Sequence, residues 1–375
     1  MSNETKGNEY AQAGVDYSKI EPFKMVMKAR GRMTLDFPRR RHVLVTSEDH
    51  GACFEYLGSQ PHRWCSVQEG LGNKNWIAEW MYERTGRPHY FGIAIDAALM
   101  AVNDLIAQGA MPVLYMDEVA AGDSEWFQDT RRAKDLADGF YSICKELGMA
   151  LPAGESPSLR YLVRAEPPVK SAPSLSGSAI GIIAPKTRAL KSSPQVGDII
   201  LGVPSSGLHA NGVSLVIKRA MELPDQFLTL LPNGKTLGEE ALIPTRSYAC
   251  LMEELQCQSV RLHAALPGTG DGLGKLAFDK RPMTYYLHSW VPQVPPLFEF
   301  MRELGVELQT CLKTFNWGIG YYLFVPPEEV DYCMEVAATI TDCPDILVVG
   351  EVREGQRRVI FGPEGDLLIP PPGDK

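Results

Sequence analysis

Residues 92–118, GIAIDAALMAVNDLIAQGAMPVLYMDE, predict a strand, a helix, a tight stop and a second strand. Residues 92–95 are short and apolar, as in a buried strand, and Asp96 can cap the helix that follows. Large apolar residues then recur at helical spacing, at Leu99, Val102, Leu105 and Ile106. This βαβ pattern indicates an α/β layout around which the rest of the chain is organised.

The end of the same segment carries turn residues and acids. Gly109 suits the left-handed position after a helix, and Pro112 prevents the helix from resuming. Residues 113–116 then predict a strand that ends in Asp117 and Glu118. Ligands collect at such strand ends in α/β folds. Asp104 lies nearly opposite the apolar helix face, so its spacing alone favours a solvated residue over a ligand-binding one.

Composition limits the classes of function. A chain of 375 residues usually forms two domains or one large one. The net charge of -9 argues against a general nucleic-acid binder, which needs clustered basic residues. An anionic small substrate stays possible, because a bound Mg²⁺ or a Gly-rich loop can locally offset the negative potential of the protein.

Cysteine spacing and the N-terminus indicate the compartment. None of the eight cysteines forms a CxxC pair, so a zinc site of the usual spacing is not expected. The N-terminus lacks the apolar core of a secretory signal, and no uncharged apolar run is long enough to span a bilayer. We therefore expect a soluble cytoplasmic protein with reduced thiols and no membrane partner.

Two Gly-containing turns are candidate anion sites. EGLGNK, at 69–74, places Lys74 at the start of a predicted helix, and its exposed N–H groups can hold phosphate oxygens. Glu69 could ligate a metal, although the turn is not a P-loop and an isolated motif of this kind is more often a simple turn. PSSGLHANG, at 204–212, precedes a helix and is either an anion cradle or helix capping by Ser and Asn.

Other segments supply the remaining elements. Residues 42–46 and 64–67 predict strands that flank a loop, and residues 124–148 predict one long helix. The basic run 39–42 favours a solvated loop over a phosphate contact. Glu155 lies in a loop bounded by Gly and Pro. The Pro- and Ser-rich residues 164–176 are the best candidate for a domain boundary.

Taken together, these segments resemble the phosphoribosylformylglycinamidine cyclo-ligase family, also called aminoimidazole ribonucleotide synthetase. The matching stretches follow the family's order along the chain. They are YAQAGVDYSKI at 10–20, EGLGNK at 69–74, IAIDAALMAVNDLIAQGAMPVLYMD at 93–117, GES at 154–156, GDIILGVPSSGLHANGVSLV at 197–216, IPTRSY at 243–248 and TFNWGIGYYLFVP at 314–326.

The resemblance implies a two-domain α/β (α+β) fold. Residues 1–176 would form an N-terminal ATP-binding and dimerisation domain whose sheet completes a barrel across a homodimer. Residues 177–375 would form a C-terminal α/β domain with helices on one sheet. The implied reaction is the ATP- and Mg²⁺-dependent closure of formylglycinamidine ribonucleotide to aminoimidazole ribonucleotide in purine synthesis, with a purine-pathway nucleotide as substrate.

The resemblance also implies site residues. Lys74, Asp104 and His209 would be catalytic, and Glu69, Asp104 and Glu155 would be the metal carboxylates. Asp96 and Gly318 would border the site. The residues that bind nucleotide or line the substrate and phosphate cleft would be Glu69, Gly70, Gly72, Lys74, Asn103, Asp117, Ser205, Ser206, Gly207, Asn211 and Asn316.

The chain departs from the family pattern at three places. Glu69 and Asn73 replace the usual Asp and Thr of the first turn. Residues 153–158 (AGESPS) lack a second acid, and residues 267–273 (PGTGDGL) lack the usual histidine. The alternatives are therefore another ATP-using enzyme of the superfamily, either a small-molecule kinase or an amidine-forming synthetase, or a silent nucleotide-binding relative.

Overall fold

A computed structural model describes residues 9–48 and 51–373 of the chain. The helices within them are α1 (Glu9–Gln12), α2 (Tyr17–Arg32), α3 (Lys74–Thr85), α4 (Tyr90–Ile106), α5 (Thr130–Leu147), α6 (Val213–Met221), α7 (Leu237–Ala241), α8 (Ala249–Cys257), α9 (Pro296–Glu303), α10 (Leu308–Thr314) and α11 (Val330–Ala338). The strands are β1 (Val43–Glu48), β2 (Gly51–Tyr56), β3 (Arg63–Gly70), β4 (Met111–Ala120), β5 (Gly154–Glu155), β6 (Ser174–Ile183), β7 (Ile199–Pro204), β8 (Ala264–Pro267), β9 (Met283–Leu287), β10 (Ile319–Val325), β11 (Leu347–Glu354), β12 (Arg358–Phe361) and β13 (Leu367–Ile369). The predicted mixed α/β class is confirmed.

The chain divides into two compact units that are interleaved in sequence. The first unit consists of Met1–Ser59, Gln68–Ala101 and Val113–Ile180. The second consists of Gln60–Val67, Val102–Pro112 and Gly181–Lys375. Helix α4 contributes residues to both units, so Asp96 belongs to the first and Asp104 to the second. The division expected at 176/177 stays a prediction.

Aromatic packing and helix caps build the first unit. Phe23 of α2 meets the ring of Phe127 edge-on, with centroids 5.1 Å apart. Helix α5 begins after Asp129, whose Oδ1 accepts hydrogen bonds from the N–H groups of Arg131 and Arg132. It ends at Gly148, where φ is 65°. The sheet of order β3–β6–β4–β5 carries the carboxylates described below.

The second unit is organised around a seven-stranded sheet. Its order is β13–β12–β9–β11–β7–β10–β8, and every neighbouring pair is antiparallel except β9 with β12. All seven residues of β10 are buried, as expected for a strand paired on both edges and covered on both faces. None of the three sheets formed by the described residues closes on itself, and a barrel across two subunits stays a prediction.

The predicted strand at 92–95 is wrong. These residues belong to α4, which begins at Tyr90, so Asp96 lies inside a helix and does not cap one. Four consecutive apolar residues fit a buried strand and a helix buried on all sides equally well. The end of the helix is as predicted, because Gly109 adopts a φ of 81°.

Two further predictions need correction. The helix expected over 124–148 is interrupted at Asp129, which separates a short 3₁₀ helix (Ser124–Gln128) from α5. Asp129 adopts extended backbone and caps α5, a local preference that apolar periodicity does not detect. The loop expected between the first two strands contains β2, which pairs antiparallel with β1.

The basic run near residue 40 has a structural role. Arg41 is buried and donates to the carbonyl of Leu147 at 2.6 Å, and Arg40 donates to the same carbonyl at 2.6 Å. These cations satisfy carbonyl groups at the C-terminal end of α5, where positive charge is favourable. The solvated loop expected here is therefore wrong for Arg41.

Within residues 9–48 and 51–373, none of the helices combines the length and the apolar character needed to cross a bilayer. The eight cysteines are all free thiols.

Candidate functional site

The first Gly-rich turn connects β3 to α3. Glu69 is half-buried at the end of β3, and Gly70 is exposed. Gly72 has a φ of 75° and open space where a Cβ would lie. A left-handed glycine of this kind lets the backbone face a ligand, so the turn is shaped as the sequence predicts.

Lys74 begins α3 and is completely buried. Its Nζ lies 2.8 Å from Oδ2 of Asp96 on α4, and both side chains are 0% exposed. Burial lowers the pKa of Lys74, while the Asp96 carboxylate opposes that shift. A buried ion pair is stable only when both partners stay in place, so this contact fixes α3 against α4. The predicted phosphate-contacting ammonium is held against Asp96.

Asp117 and Glu155 lie on neighbouring parallel strands. Asp117 pairs with Gly154, and Glu118 pairs with Glu155. Asp117 is 7% exposed, and burial raises its pKa to about 7, with a further increase from the Glu155 charge. A Cβ at Gly154 would lie 2.3 Å from Asp117 Oδ1, so the glycine is what lets this carboxyl group approach.

Glu155 is the accessible member of this carboxylate pair. Its side chain is 66% exposed, and Oε1 lies 3.9 Å from Lys24 Nζ. Across the ranges that the structure describes, no group of three or more His, Cys, Asp or Glu side chains is placed to hold a metal. The predicted metal set of Glu69, Asp104 and Glu155 therefore stays a prediction, and the carboxylate directly in register with Glu155 is Glu118.

The second Gly-containing loop follows β7 in the second unit. The N–H of Ser205 donates to the Gly318 carbonyl at 2.9 Å, and Ser206 Oγ donates to the Pro244 carbonyl at 2.6 Å. Gly207 adopts a φ of 146°. The Ser205 Oγ is buried and has no hydrogen-bond partner among the described residues. Because buried polar atoms are normally satisfied, this hydroxyl indicates a ligand or a water.

His209 is buried in a strained backbone conformation. Its φ is 57°, and its Nε2 accepts a hydrogen bond from the Ser206 N–H at 3.2 Å. A ring nitrogen that accepts carries no proton, so the arrangement describes the neutral tautomer protonated on Nδ1. The ring lies 6.4 Å from that of Tyr248. A Cβ at Gly320 would lie 2.6 Å from His209 Cε1, which explains a glycine in the middle of β10.

Asn316 holds this loop in place. Its Nδ2 donates to the Gly207 carbonyl at 2.8 Å, and its Oδ1 accepts from the Gly318 N–H at 2.9 Å. The side chain is buried, and these bonds use it to position backbone. Its predicted contact with a nucleotide stays a prediction.

Asn103 and Asp104, at the end of α4, belong to the second unit. Asn103 is buried, donates to the Arg246 carbonyl at 3.0 Å and accepts from the Tyr248 N–H at 3.4 Å. Asp104 Oδ1 lies 3.9 Å from Lys275 Nζ. Asn103 is therefore a positioning residue for the segment around residue 246, and Asp104 is open to solvent on one side.

Sequence reasoning missed Lys275, Tyr248 and Tyr321. Lys275 lies just beyond the stretch 267–273 where the chain departs from the family pattern, and that departure was the available signal. The two tyrosines stack with centroids 4.9 Å apart and looked like ordinary core residues. Their proximity to Asn103 and Asp104 depends on tertiary structure.

A small cavity lies elsewhere in the first unit. Its volume is about 240 Å³, and its lining includes Asp123, Arg160, Arg164 and Lys170. None of the predicted site residues lines it. The Asp123 carboxylate there caps a 3₁₀ helix and accepts from Ser171 Oγ, so its role is structural.

Family models match both parts of the chain. Residues 80–183 match the AIR synthase related protein N-terminal domain, and residues 195–362 match the AIR synthase related protein C-terminal domain.

Curated relatives match along most of the chain. A phosphoribosylformylglycinamidine cyclo-ligase of Lactobacillus acidophilus is 32% identical over 345 residues, covering 88% of this chain and 92% of its own. One from Limosilactobacillus reuteri is 33% identical over 343 residues, with 88% and 92% covered. One from Pyrococcus horikoshii is 30% identical, with 87% and 90% covered.

Solved structures share the fold at lower identity. Hydrogenase maturation protein HypE of E. coli has a TM-score of 0.62 at 13% identity and covers 94% of this chain and 98% of its own. Thiamine-monophosphate kinase of Stenotrophomonas maltophilia has a TM-score of 0.59 at 20% identity, with 90% and 96% covered. At such identities the likeness concerns the fold alone.

Proposed function

This chain belongs to the AIR synthase related protein family, and we propose that it is a phosphoribosylformylglycinamidine cyclo-ligase. In the proposed reaction, ATP phosphorylates the formyl oxygen of formylglycinamidine ribonucleotide. The nitrogen that enters the ring attacks the activated carbon, and phosphate leaves with the formyl oxygen. The products are aminoimidazole ribonucleotide, ADP and phosphate. The observation that carries the proposal is the 32% identity over 345 residues with a curated cyclo-ligase.

The carboxylates of the first unit fit the Mg²⁺ that phosphoryl transfer needs. Mg²⁺ in such sites is held by one or two carboxylates together with substrate phosphates. We propose Glu155, whose side chain is exposed, and Asp117, which is buried beside it, as carboxylates that would hold the ion. A bound Mg²⁺ would neutralise charge on the phosphates. Glu69 remains the other proposed ligand in this unit, and the predicted metal role of Asp104 stays a prediction.

Lys74 and the loop after β7 supply the proposed contacts with phosphates and substrate. We propose Lys74 as the cation near the phosphates; its ammonium carries three N–H donors, and its Nζ lies 2.8 Å from Asp96 Oδ2. The buried Ser205 Oγ supports a role for the loop in binding acceptor atoms. The neutral His209 would hold the loop through Ser206 and donate from Nδ1.

A product assay tests the proposed function. The pure protein is incubated with formylglycinamidine ribonucleotide, ATP and Mg²⁺, and the aromatic aminoimidazole is measured together with ADP. The matched control is the Lactobacillus acidophilus relative under the same conditions. Formation of both products in equal amounts supports the proposal. Product from the relative but none from this chain would overturn it.

The quaternary structure and location follow as proposals from the same family. We propose a homodimer in which the sheets of two first units complete a barrel, and a cytoplasmic location where purine nucleotides are made. Sedimentation equilibrium tests the dimer through the measured mass. A mass equal to a single chain at micromolar concentration would contradict it.

A further inference from the structure

The cavity of about 240 Å³ in the first unit has a basic wall. Arg160, Arg164 and Lys170 line it, and Asp123 is the one carboxylate among its lining residues. Three cations and one carboxylate give the wall a formal charge of +2, whereas the whole chain carries -9. A concave cluster of cations concentrates field lines and attracts anions, even on an acidic protein.

The Asp123 carboxylate is engaged by neutral groups. Its Oδ1 accepts from the Trp126 N–H at 3.0 Å, and its Oδ2 accepts from Ser171 Oγ at 3.0 Å. Within residues 9–48 and 51–373, the side chains of Arg164 and Lys170 form neither a hydrogen bond nor an ion pair. Their N–H groups are therefore available to a ligand that enters the cavity.

Arg160 is held in place by the segment that follows α1. Its Nη1 donates to the Gln12 carbonyl at 2.9 Å, and a Cβ at Gly14 would lie 2.7 Å from its Nε. The carbonyl is a neutral acceptor, so this bond leaves the guanidinium charge uncompensated. A guanidinium carries further N–H donors beyond the one used here. Arg160 can thus contact an anion without giving up its anchor.

The segment that carries these cations is fixed to the rest of the unit. Trp76 Nε1 donates to the Glu166 carbonyl at 2.8 Å, and the Lys170 N–H donates to Glu83 Oε1 at 3.1 Å. Val169, which lies between those two attachment points in the chain, is 3% exposed. Because the wall is already ordered, binding a ligand there costs less conformational entropy.

We propose that this cavity binds a compact dianion through its phosphate or carboxylate oxygens. None of the predicted site residues lines the cavity, so the inference goes beyond the proposed function. A guanidinium pairs with two oxygens of a phosphate or a carboxylate, and the charge of a dianion balances that of the wall. Pockets that enclose drug-sized ligands measure about 300–1,000 Å³. The smaller cavity suits a phosphate group or a short dicarboxylate and is too small to enclose a whole nucleotide.

Isothermal titration calorimetry on the full-length protein tests the site with two probes, inorganic phosphate and succinate. It is run on the unsubstituted protein, on Arg164→Gln and on Lys170→Met. The matched controls are Arg87→Gln and Lys145→Met, which remove exposed cations of the same unit outside the cavity. We expect the dissociation constant of the bound probe to rise about tenfold in Arg164→Gln and about threefold in Lys170→Met, and to stay within about twofold in both controls.

Chemical modification shows whether the bound probe occupies this cavity. Phenylglyoxal modifies accessible arginine side chains, and mass spectrometry locates the modified residues. A saturating probe should slow the modification of Arg164 and leave that of Arg87 unchanged. Protection by phosphate alone assigns the site to a phosphate group, and protection by succinate alone assigns it to a dicarboxylate.

Three outcomes overturn the site. They are no binding of either probe, no protection of Arg164 at saturation, and unchanged affinity in both cavity variants. A variant that melts early is replaced by Arg164→Lys, which keeps the charge and should retain more affinity than Arg164→Gln. Aminoimidazole formation is measured in parallel, so that product without probe binding removes only this site, and probe binding without product removes only the proposed function.

Discussion

The fold buries the Asp117 carboxyl group, so we expect the free energy of unfolding of the protein to depend on pH. Its pKa is raised from 3.8 to about 7. Between those pH values the folded state keeps a proton that the unfolded state has lost, so the free energy of unfolding falls as pH rises. The decrease in the free energy of unfolding is complete above pH 7. At about 1.4 kcal/mol per pKa unit, it amounts to a few kcal/mol.

The substitution Asp117→Asn removes this titration. We expect the variant to exceed the original protein in stability by about 2–4 kcal/mol at pH 8, and the difference to vanish near pH 4. Urea unfolding from pH 4 to pH 8 measures both. The exposed neighbour Glu118 provides the control Glu118→Gln. A stability difference that does not change with pH would show that burial does not govern this carboxyl group.

A single substitution tests the predicted catalytic role of Asp104. Its side chain is partly exposed and lies near Lys275, so Asp104→Asn keeps its volume and removes only the charge. We expect kcat for aminoimidazole formation to fall at least about 100-fold, with a melting temperature within about 2 °C. The exposed Asp331 of α11 provides the control Asp331→Asn. Full activity with early melting would instead make Asp104 a structural residue.

At the scale of elements, Glu79 connects several helices in the first unit. This buried carboxylate of α3 accepts from the Tyr90 hydroxyl at 2.7 Å and from Trp126 Nε1 at 2.6 Å. Its other oxygen lies 2.7 Å from Arg132 Nη2 on α5. Tyr90 begins α4, so one side chain joins α3, α4, α5 and the 3₁₀ helix at Ser124–Gln128. The same α3–α4 contact carries the Lys74–Asp96 pair.

Breaking this network should be costly and non-additive. Glu79→Gln leaves Arg132 without its buried counter-charge, and we expect a loss of about 3–5 kcal/mol in the free energy of unfolding. Arg132→Met should lose a similar amount, and the double variant should lose clearly less than the sum. Urea unfolding gives all three values, with the exposed ion pair Arg219–Glu222 as the control cycle. Strict additivity at Glu79 and Arg132 would contradict a coupled network.

The sequence predicted elements with one apolar face or clear caps better than those buried on all sides. The end of helix α3 at the left-handed Gly86 and the stop at Gly109 follow local rules and appear as expected. The start of α4 was missed, because its first six residues (YFGIAI) contain no charged residue. Their hydrophobic pattern therefore shows neither the helical nor the strand period. Among the site residues, Lys74 was predicted from the turn in which it lies. Its ion pair with Asp96 and the contact between Lys275 and Asp104 join residues far apart in sequence, so sequence patterns do not predict them.

At the scale of the whole molecule, the second unit needs residues from the first half of the chain. Gln256 Nε2 donates to the Gly109 carbonyl at 2.9 Å, and the Leu190 N–H donates to the Gln108 carbonyl at 3.1 Å. A fragment cut at the predicted boundary, residues 177–375, lacks Gln60–Val67 and Val102–Pro112 of this unit. Those losses remove buried apolar residues as well as hydrogen bonds.

We therefore expect residues 177–375 alone to lack a cooperative unfolding transition. Circular dichroism during heating and urea titration measures this. Co-expression with residues 1–176 supplies the missing segments and should restore the transition. A sharp transition in the isolated fragment would show that the second unit does not depend on the two early segments.

The interleaving of the two units also affects how the protein is made. Val102, Leu105 and Ile106 are completely buried, and they are assigned to a unit most of which, Gly181–Lys375, is synthesised after them. At about 5–20 residues per second, a ribosome needs on the order of 10–40 s to add that much chain. During that time these apolar side chains have been synthesised and most of the chain of their unit has not. A nascent chain in this state offers chaperones a binding site, and its yield should depend on translation speed.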